Sequence, residues 1–145
     1  MAKKYKKPIV ADIKPKHSAY FKNVTLLTPN QQEASQIAGT GNIRKAGKAI
    51  QQKLSCHVLI TQGAQCMTLF VGDRIKHFPA KTREIFDVTG AGDTVAAVAV
   101  LSLAAGATLE EATVIANHAA GIVVGKIGTA TVSAKELKDD LIHNK

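Results

Sequence analysis

The chain has 145 residues, 46% hydrophobic and 21% charged, which suits a single globular domain, residues 1–145, long enough to bury a core. Its formal net charge is +8, and seven lysines against Asp12 in residues 1–22 supply +6 of it. That clustering, with only Tyr5, Tyr20 and Phe21 among the lysines, argues for a solvated basic face or attraction to a phosphorylated small molecule rather than a nucleic-acid surface, and no apolar run reaches the ~20 residues a membrane span requires.

The first element is an apolar run, Pro8 to Ile13, that ends on Asp12, Lys14 and Pro15 and reads as a buried strand passing into a loop. Ala2 to Lys7 ahead of it reads as the last turn of a helix. Val24 to Thr28 is a second strand, stopped by Pro29 and Asn30, with a helix from Gln31. Ile43 to Leu54 is an amphipathic helix with Arg44, Lys45, Lys48 and Lys53 outward, and Val58 to Thr61 is a third strand. The pattern then changes: Met67 to Val71 and Ile75 to Phe78 flank Gly72-Asp73, a hairpin signal. Thr94 to Ala107 is apolar almost throughout and reads as a buried core helix. Leu109 to Lys126 is a second long helix, opened by a capping box of Thr108 and Glu111, and a last helix starts at Ser133, with Glu136 three residues on, and frays at Asp139 to Ile142. The expected fold is therefore α/β, a mostly parallel sheet covered by helices with an antiparallel hairpin at one side.

Cys56 and Cys66 match no C-x-x-C or metal spacing, as expected of packed thiols in a reducing cytoplasm, and no apolar segment with a cleavage site follows Lys3, Lys4, Lys6 and Lys7. Three strand ends carry polar groups where open α/β sheets bind ligands: Asp12 with Lys14, Asn30 with Glu33, and Thr61 with Gly63. Asn30 and Glu33 are either an N-cap and its capping-box partner or a pair that holds a hydrated Mg²⁺. The strongest stretch is Asp87-Val88-Thr89-Gly90-Ala91-Gly92-Asp93, running straight into a helix. It is either a plain capped helix start or an anion cradle of backbone N–H groups with an acid beside it, suited to accept a proton during phosphoryl transfer. Gly121 to Lys126 is one residue short of a P-loop and lies late in a helix.

Asp87 to Asp93 resembles the second signature of the ribokinase-like (PfkB) carbohydrate kinases, Thr28-Pro-Asn-Gln-Gln-Glu33 resembles their N-x-x-E motif, and Thr61-Gln-Gly63 their nucleotide-strand motif, in the same order and separations from about Pro8 to Leu137. Asp12 to Lys16, Thr25 to Asn30 and Phe86 to Thr94 look most like the members that phosphorylate D-glycero-D-manno-heptose 7-phosphate at O1 on the route to ADP-heptose; Asp-Ile-Lys stands here where those have Asp-Pro-Lys.

The resemblance implies Asp93 as the base and the amides of Gly90, Ala91 and Gly92 as the anion hole. It implies Asn30 and Glu33 around Mg²⁺ and its waters, Thr61, Gly63 and Asn117 around ATP, and Lys14 on a phosphate. Asp87 and Thr89 would hold a monovalent cation, K⁺, with Gly128 and Ser133 as further contacts. Family members are about twice as long, so the chain resembles the C-terminal, nucleotide-binding half, without the sugar-binding motif and lid. It is expected to bind ATP and a sugar phosphate, and to self-associate through an exposed sheet edge. The alternatives are a non-catalytic nucleotide-binding or scaffolding half that works with a partner chain, another sugar or nucleoside kinase of the family, and a basic nucleic-acid binder.

Overall fold

Five strands form one sheet in chain order, β1 (Val10–Ala11), β2 (Leu26–Leu27), β3 (His57–Thr61), β4 (Cys66–Val71) and β5 (Arg74–Pro79), with β1, β2 and β3 parallel and β3, β4 and β5 antiparallel. The structure, a computed structural model, describes residues 2, 4–63, 66–80 and 86–144. Five helices cover the sheet: α1 (Gln31–Ala38), α2 (Ile43–Leu54), α3 (Ala91–Ala104), α4 (Leu109–Val124) and α5 (Ala134–His143).

Alternation along the strands divides the core into two layers. Leu27, Val58, Ile60 and Phe70 face α1 and α2, whereas Leu26, Leu59 and Leu69 face α3 and α4. The approach of α2 to β4 is close enough that a Cβ on Gly47 would overlap the Phe70 ring, so this helix can pack there only with glycine.

Local signals account for most boundaries. Asn30, Asn42, Thr108 and Ser133 each accept the backbone N–H three residues on, and Glu33, Glu111 and Glu136 complete capping boxes at three of these ends. Four expectations need amendment. Between β1 and β2 the chain forms a 3-10 helix, Pro15–Tyr20, where the sequence suggested only a loop; Pro15 at its first position supplies the required φ. The strands β1 and β2 are two residues long, shorter than their apolar runs. The last helix does not fray at Asp139: it continues to His143, because Asp140 Oδ2 meets the buried His118 Nδ1 at 2.6 Å and ties α5 to α4.

The fourth amendment concerns α3. It starts at Ala91 rather than Thr94, and it is not a buried core helix. Only Val95 and Ala99 are buried, Ala97 and Ala104 are exposed, and Leu101 is 69% exposed. This apolar helix packs on α4 and on β1, and β1 is the edge strand of the sheet. Near the start of the chain Lys7 N–H donates to Ala2 O at 3.0 Å and Lys6 has φ 51°, the pattern that closes a helix. Lys3 lies outside the described residues, as do Met1 and the segment 81–85 that leads into Asp87.

Candidate active site

Parallel pairing gathers the polar strand ends. Thr28 N–H and its hydroxyl both donate to Ala11 O, at 3.1 and 3.4 Å, which sets the end of β1 beside the end of β2. Thr61 N–H donates to Pro29 O at 3.0 Å and Thr61 bridges Asn30, which sets the end of β3 on the other side. The first turn of α3 closes the fourth side. Together they bound a polar cavity of about 180 Å³, into which Asp12, Lys14, Asn30, Glu33, Thr61 and Asp93 contribute, with Thr28, Gly90 and Gly92 completing its walls.

Gly90 sits at φ 80°, a left-handed conformation that a side chain would strain, and from it the chain enters α3 directly. The first amides of a helix lack intrahelical partners. Ala91 N–H donates back to Val88 O at 3.2 Å, whereas the amides of Gly90, Gly92 and Asp93 have no partner among the described residues. The amides left open at this turn are thus these three, and the Ala91 amide, expected among them, is engaged. Asp93 is exposed on the first helical turn, where the helix dipole favours negative charge.

Asn30 and Glu33 form the capping box: Asn30 Oδ1 accepts Glu33 N–H at 2.8 Å and Glu33 Oε2 accepts Asn30 N–H at 3.0 Å. The other carboxylate oxygen, Oε1, accepts Lys14 Nζ at 2.9 Å. The Lys14 ammonium is held above its ordinary value by that hydrogen bond and by the Glu33 charge. Asp12 is pushed up, first by burial and then by Glu33, with Lys14 opposing and Asp93 adding to the rise. The sequence marks Asp12 only as a polar strand end beside Lys14, through an acid closing an apolar run, and the resemblance gives it no role of its own.

A second cavity of about 260 Å³ opens from the first, sharing Asn30, Thr61 and Gly92 with it. Its lining is mostly apolar, with Met67, Val88, Val95 and Val124, and it takes in Gly63, at φ 67°, and Asn117. Asn117 is 6% exposed and donates Nδ2 to Pro79 O at 2.7 Å. Met67, Val95 and Val124 have no signature in the sequence as cavity walls, since they are ordinary core positions that the cavity uncovers, whereas Val88 is exposed in the Asp87 to Asp93 stretch.

Asp87 stands behind the cradle. Its Oδ1 accepts Thr89 N–H at 2.8 Å, and its carboxyl is held below the ordinary range first by the Thr89 hydroxyl, then by the Thr89 and Gly128 amides. Phe86 and Asp87 amides donate to Val124 O and fix this loop to the end of α4. Ser133 is engaged elsewhere: its hydroxyl caps α5 through Glu136. Burial raises Cys56 to about 11 and also raises Cys66, as suits packed thiols. No described residues form a group of three acidic, histidine or cysteine side chains placed to hold a metal by themselves.

Comparison with known proteins identifies the family and the fold. Residues 1–136 match the pfkB family carbohydrate kinase. The chain is 44% identical over 140 residues to the bifunctional protein HldE of Nitrosococcus oceani, covering 92% of this chain and 30% of that protein. It therefore spans about a third of the length of the curated relatives it matches. Among solved structures, Escherichia coli phosphofructokinase-2 in complex with potassium superposes with a TM-score of 0.82 at 22% identity, over 95% of this chain and 48% of that one. Arabidopsis thaliana ribokinase complexed with ribose and ATP gives 0.79 at 24% identity, over 94% and 48%. The fold is ribokinase-like.

Proposed function

Because this chain belongs to the pfkB family of carbohydrate kinases, we propose that it is the nucleotide-binding, phosphoryl-transferring portion of an ATP-dependent kinase. Its proposed acceptor is a hydroxyl of a sugar phosphate, D-glycero-D-manno-heptose 7-phosphate, giving the 1,7-bisphosphate on the route to ADP-heptose. The observation that carries the reading is the convergence of Lys14, Asn30, Glu33, Thr61 and Asp93 on one cavity beside free helix-start amides. Adjoining it is an apolar cavity suited to a base.

In the proposed step the acceptor oxygen attacks the γ-phosphorus of ATP, the bond to the β,γ-bridging oxygen breaks, and Asp93 takes the acceptor's proton. The amides of Gly90, Gly92 and Asp93 stabilise the charge that develops on the transferring group, an arrangement that needs no reorganisation during reaction. Thr61, Gly63 and Asn117 line the nucleotide, and Lys14 meets a phosphate. The carboxylates of Glu33 and Asp12 and the carboxamide of Asn30 supply oxygen ligands that fit Mg²⁺, a hard cation that keeps its waters and takes few protein ligands. Asn30 and Glu33 would hold it through water, and bound there it would neutralise phosphate charge. A monovalent cation is assigned to Asp87 and Thr89 on resemblance, and this carboxylate already accepts Thr89 and Gly128.

Calorimetric titration of ATP·Mg into this chain tests the reading. One weak site is expected, since the remainder of a complete kinase is not in these residues. Silence at millimolar ligand would instead favour the non-catalytic scaffold.

A further inference from the structure

Among the described residues, the cavity that receives phosphates under the reading above is lined by three acids, Asp12, Glu33 and Asp93, and one cation, Lys14. A polyphosphate entering such a cavity meets like charge, so the one lysine carries unusual weight. Glu33 is 11% exposed in its side chain, and its Oε2 is fixed by the capping bond to Asn30 N–H. The oxygen left to face an incoming cation is Oε1, and Lys14 Nζ already occupies it at 2.9 Å. Lys14 is the mobile partner: its side chain is 71% exposed, and its long stem leaves a backbone held by the following Pro15.

We propose that Lys14 is a switching counter-cation that closes Glu33 to divalent metal when no nucleotide is present and transfers to a phosphate oxygen when nucleotide arrives, opening Glu33. This rests on the nucleotide reading for its second half only. Lysine and metal then compete for one oxygen in the free chain and cooperate once phosphate takes the lysine. An exposed ion pair is weak enough to be exchanged in this way, and a lysine–phosphate hydrogen bond belongs to the same charge-assisted class as the pair it replaces, with a polyphosphate bringing more charge to the lysine than one carboxylate. Metal and nucleotide affinities are thereby coupled through one side chain, and the coupling is reciprocal.

The test uses Mn²⁺, followed by electron paramagnetic resonance in the absence of nucleotide, and metal-free ATP, followed by calorimetry. Lys14→Met is expected to bind Mn²⁺ about two- to fivefold more tightly than the parent, the factor that an exposed ion pair is worth. The same variant should bind metal-free ATP about tenfold more weakly. Lys14→Arg, which keeps the charge, should restore parent Mn²⁺ affinity, and adding Glu33→Gln to Lys14→Met should abolish the gain. A purely structural role for Lys14 would weaken both ligands together. Unchanged or weaker Mn²⁺ binding in Lys14→Met overturns the proposal. Failure of the parent chain to bind ATP refutes the nucleotide reading instead, and the Mn²⁺ comparison still decides whether Lys14 closes Glu33.

Discussion

At the scale of single residues, Asp12 is a carboxyl at the candidate site that works against the fold. Its carboxyl lies above the ordinary 3.8 because burial, Glu33 and Asp93 all disfavour its charge, and Lys14 only partly offsets them. A carboxyl raised in this way holds its proton more tightly folded than unfolded. Its favourable contribution is therefore present at acid pH and is lost as pH rises through the raised value. Asp12→Asn should raise the melting temperature at pH 7 by about 1–3 °C, with the difference gone below the ordinary carboxyl value. Thermal scans at the two pH values check this, and a lower melting temperature at pH 7 would contradict it. Asn30 and Glu33 carry a related lesson. The sequence left them open between a helix cap and a metal-organising pair, and the geometry shows the capping box in place with one Glu33 oxygen turned to Lys14. The cap is thus compatible with the second role, because it fixes where the carboxylate points.

At the scale of elements, α5 and the loop before it depend on one exposed acid. Glu136 accepts Lys126 Nζ together with the amide and hydroxyl of Ser133, and these hold its carboxyl down to about 2, with the lysine contact the largest cause. A lowered carboxyl contributes stability above its ordinary 4.5 that fades as pH falls toward 2. Amide protection at the start of α5 should drop severalfold between pH 5 and pH 2.5, roughly the window those values bracket, and Glu136→Gln should flatten the dependence. Equal protection in parent and variant across the range would refute the role. Such caps explain why two helix starts are legible in the sequence: Thr108 and Ser133 each announce one, whereas the range Ile43 to Leu54 shows through its amphipathic pattern and its Asn42 cap appears only in the structure. The start of α3 was less legible, because its N-cap is a left-handed glycine with no side chain to signal it. The 3-10 helix was hidden because Pro15 signals a loop as readily as a first helical turn. The site was legible as three separate motifs, and what brings them together is the neighbour order β1–β2–β3, which the strand runs did not encode.

At the scale of the whole molecule, α3 leaves an uncovered apolar flank beside the edge strand β1. Eleven consecutive residues from Thr94 to Ala104 carry no charge, yet Leu101 is mostly in solvent. The solved relatives continue for about as much chain again beyond the part that superposes. We expect the chain on its own to self-associate through this surface, and Leu101→Glu to weaken that association about tenfold in sedimentation equilibrium. A monomeric parent would remove the surface from consideration. The reading of the chain as the catalytic portion of a sugar kinase turns on Asp93. The most direct measurement joins this chain to the remaining kinase segment of a relative such as the HldE protein and follows ADP release with heptose 7-phosphate. Turnover is expected, and Asp93→Asn should lower kcat by roughly 10²–10⁴ while ATP affinity stays within about twofold. A variant that turns over at the parent rate would take Asp93, and with it the proposed chemistry, out of the site.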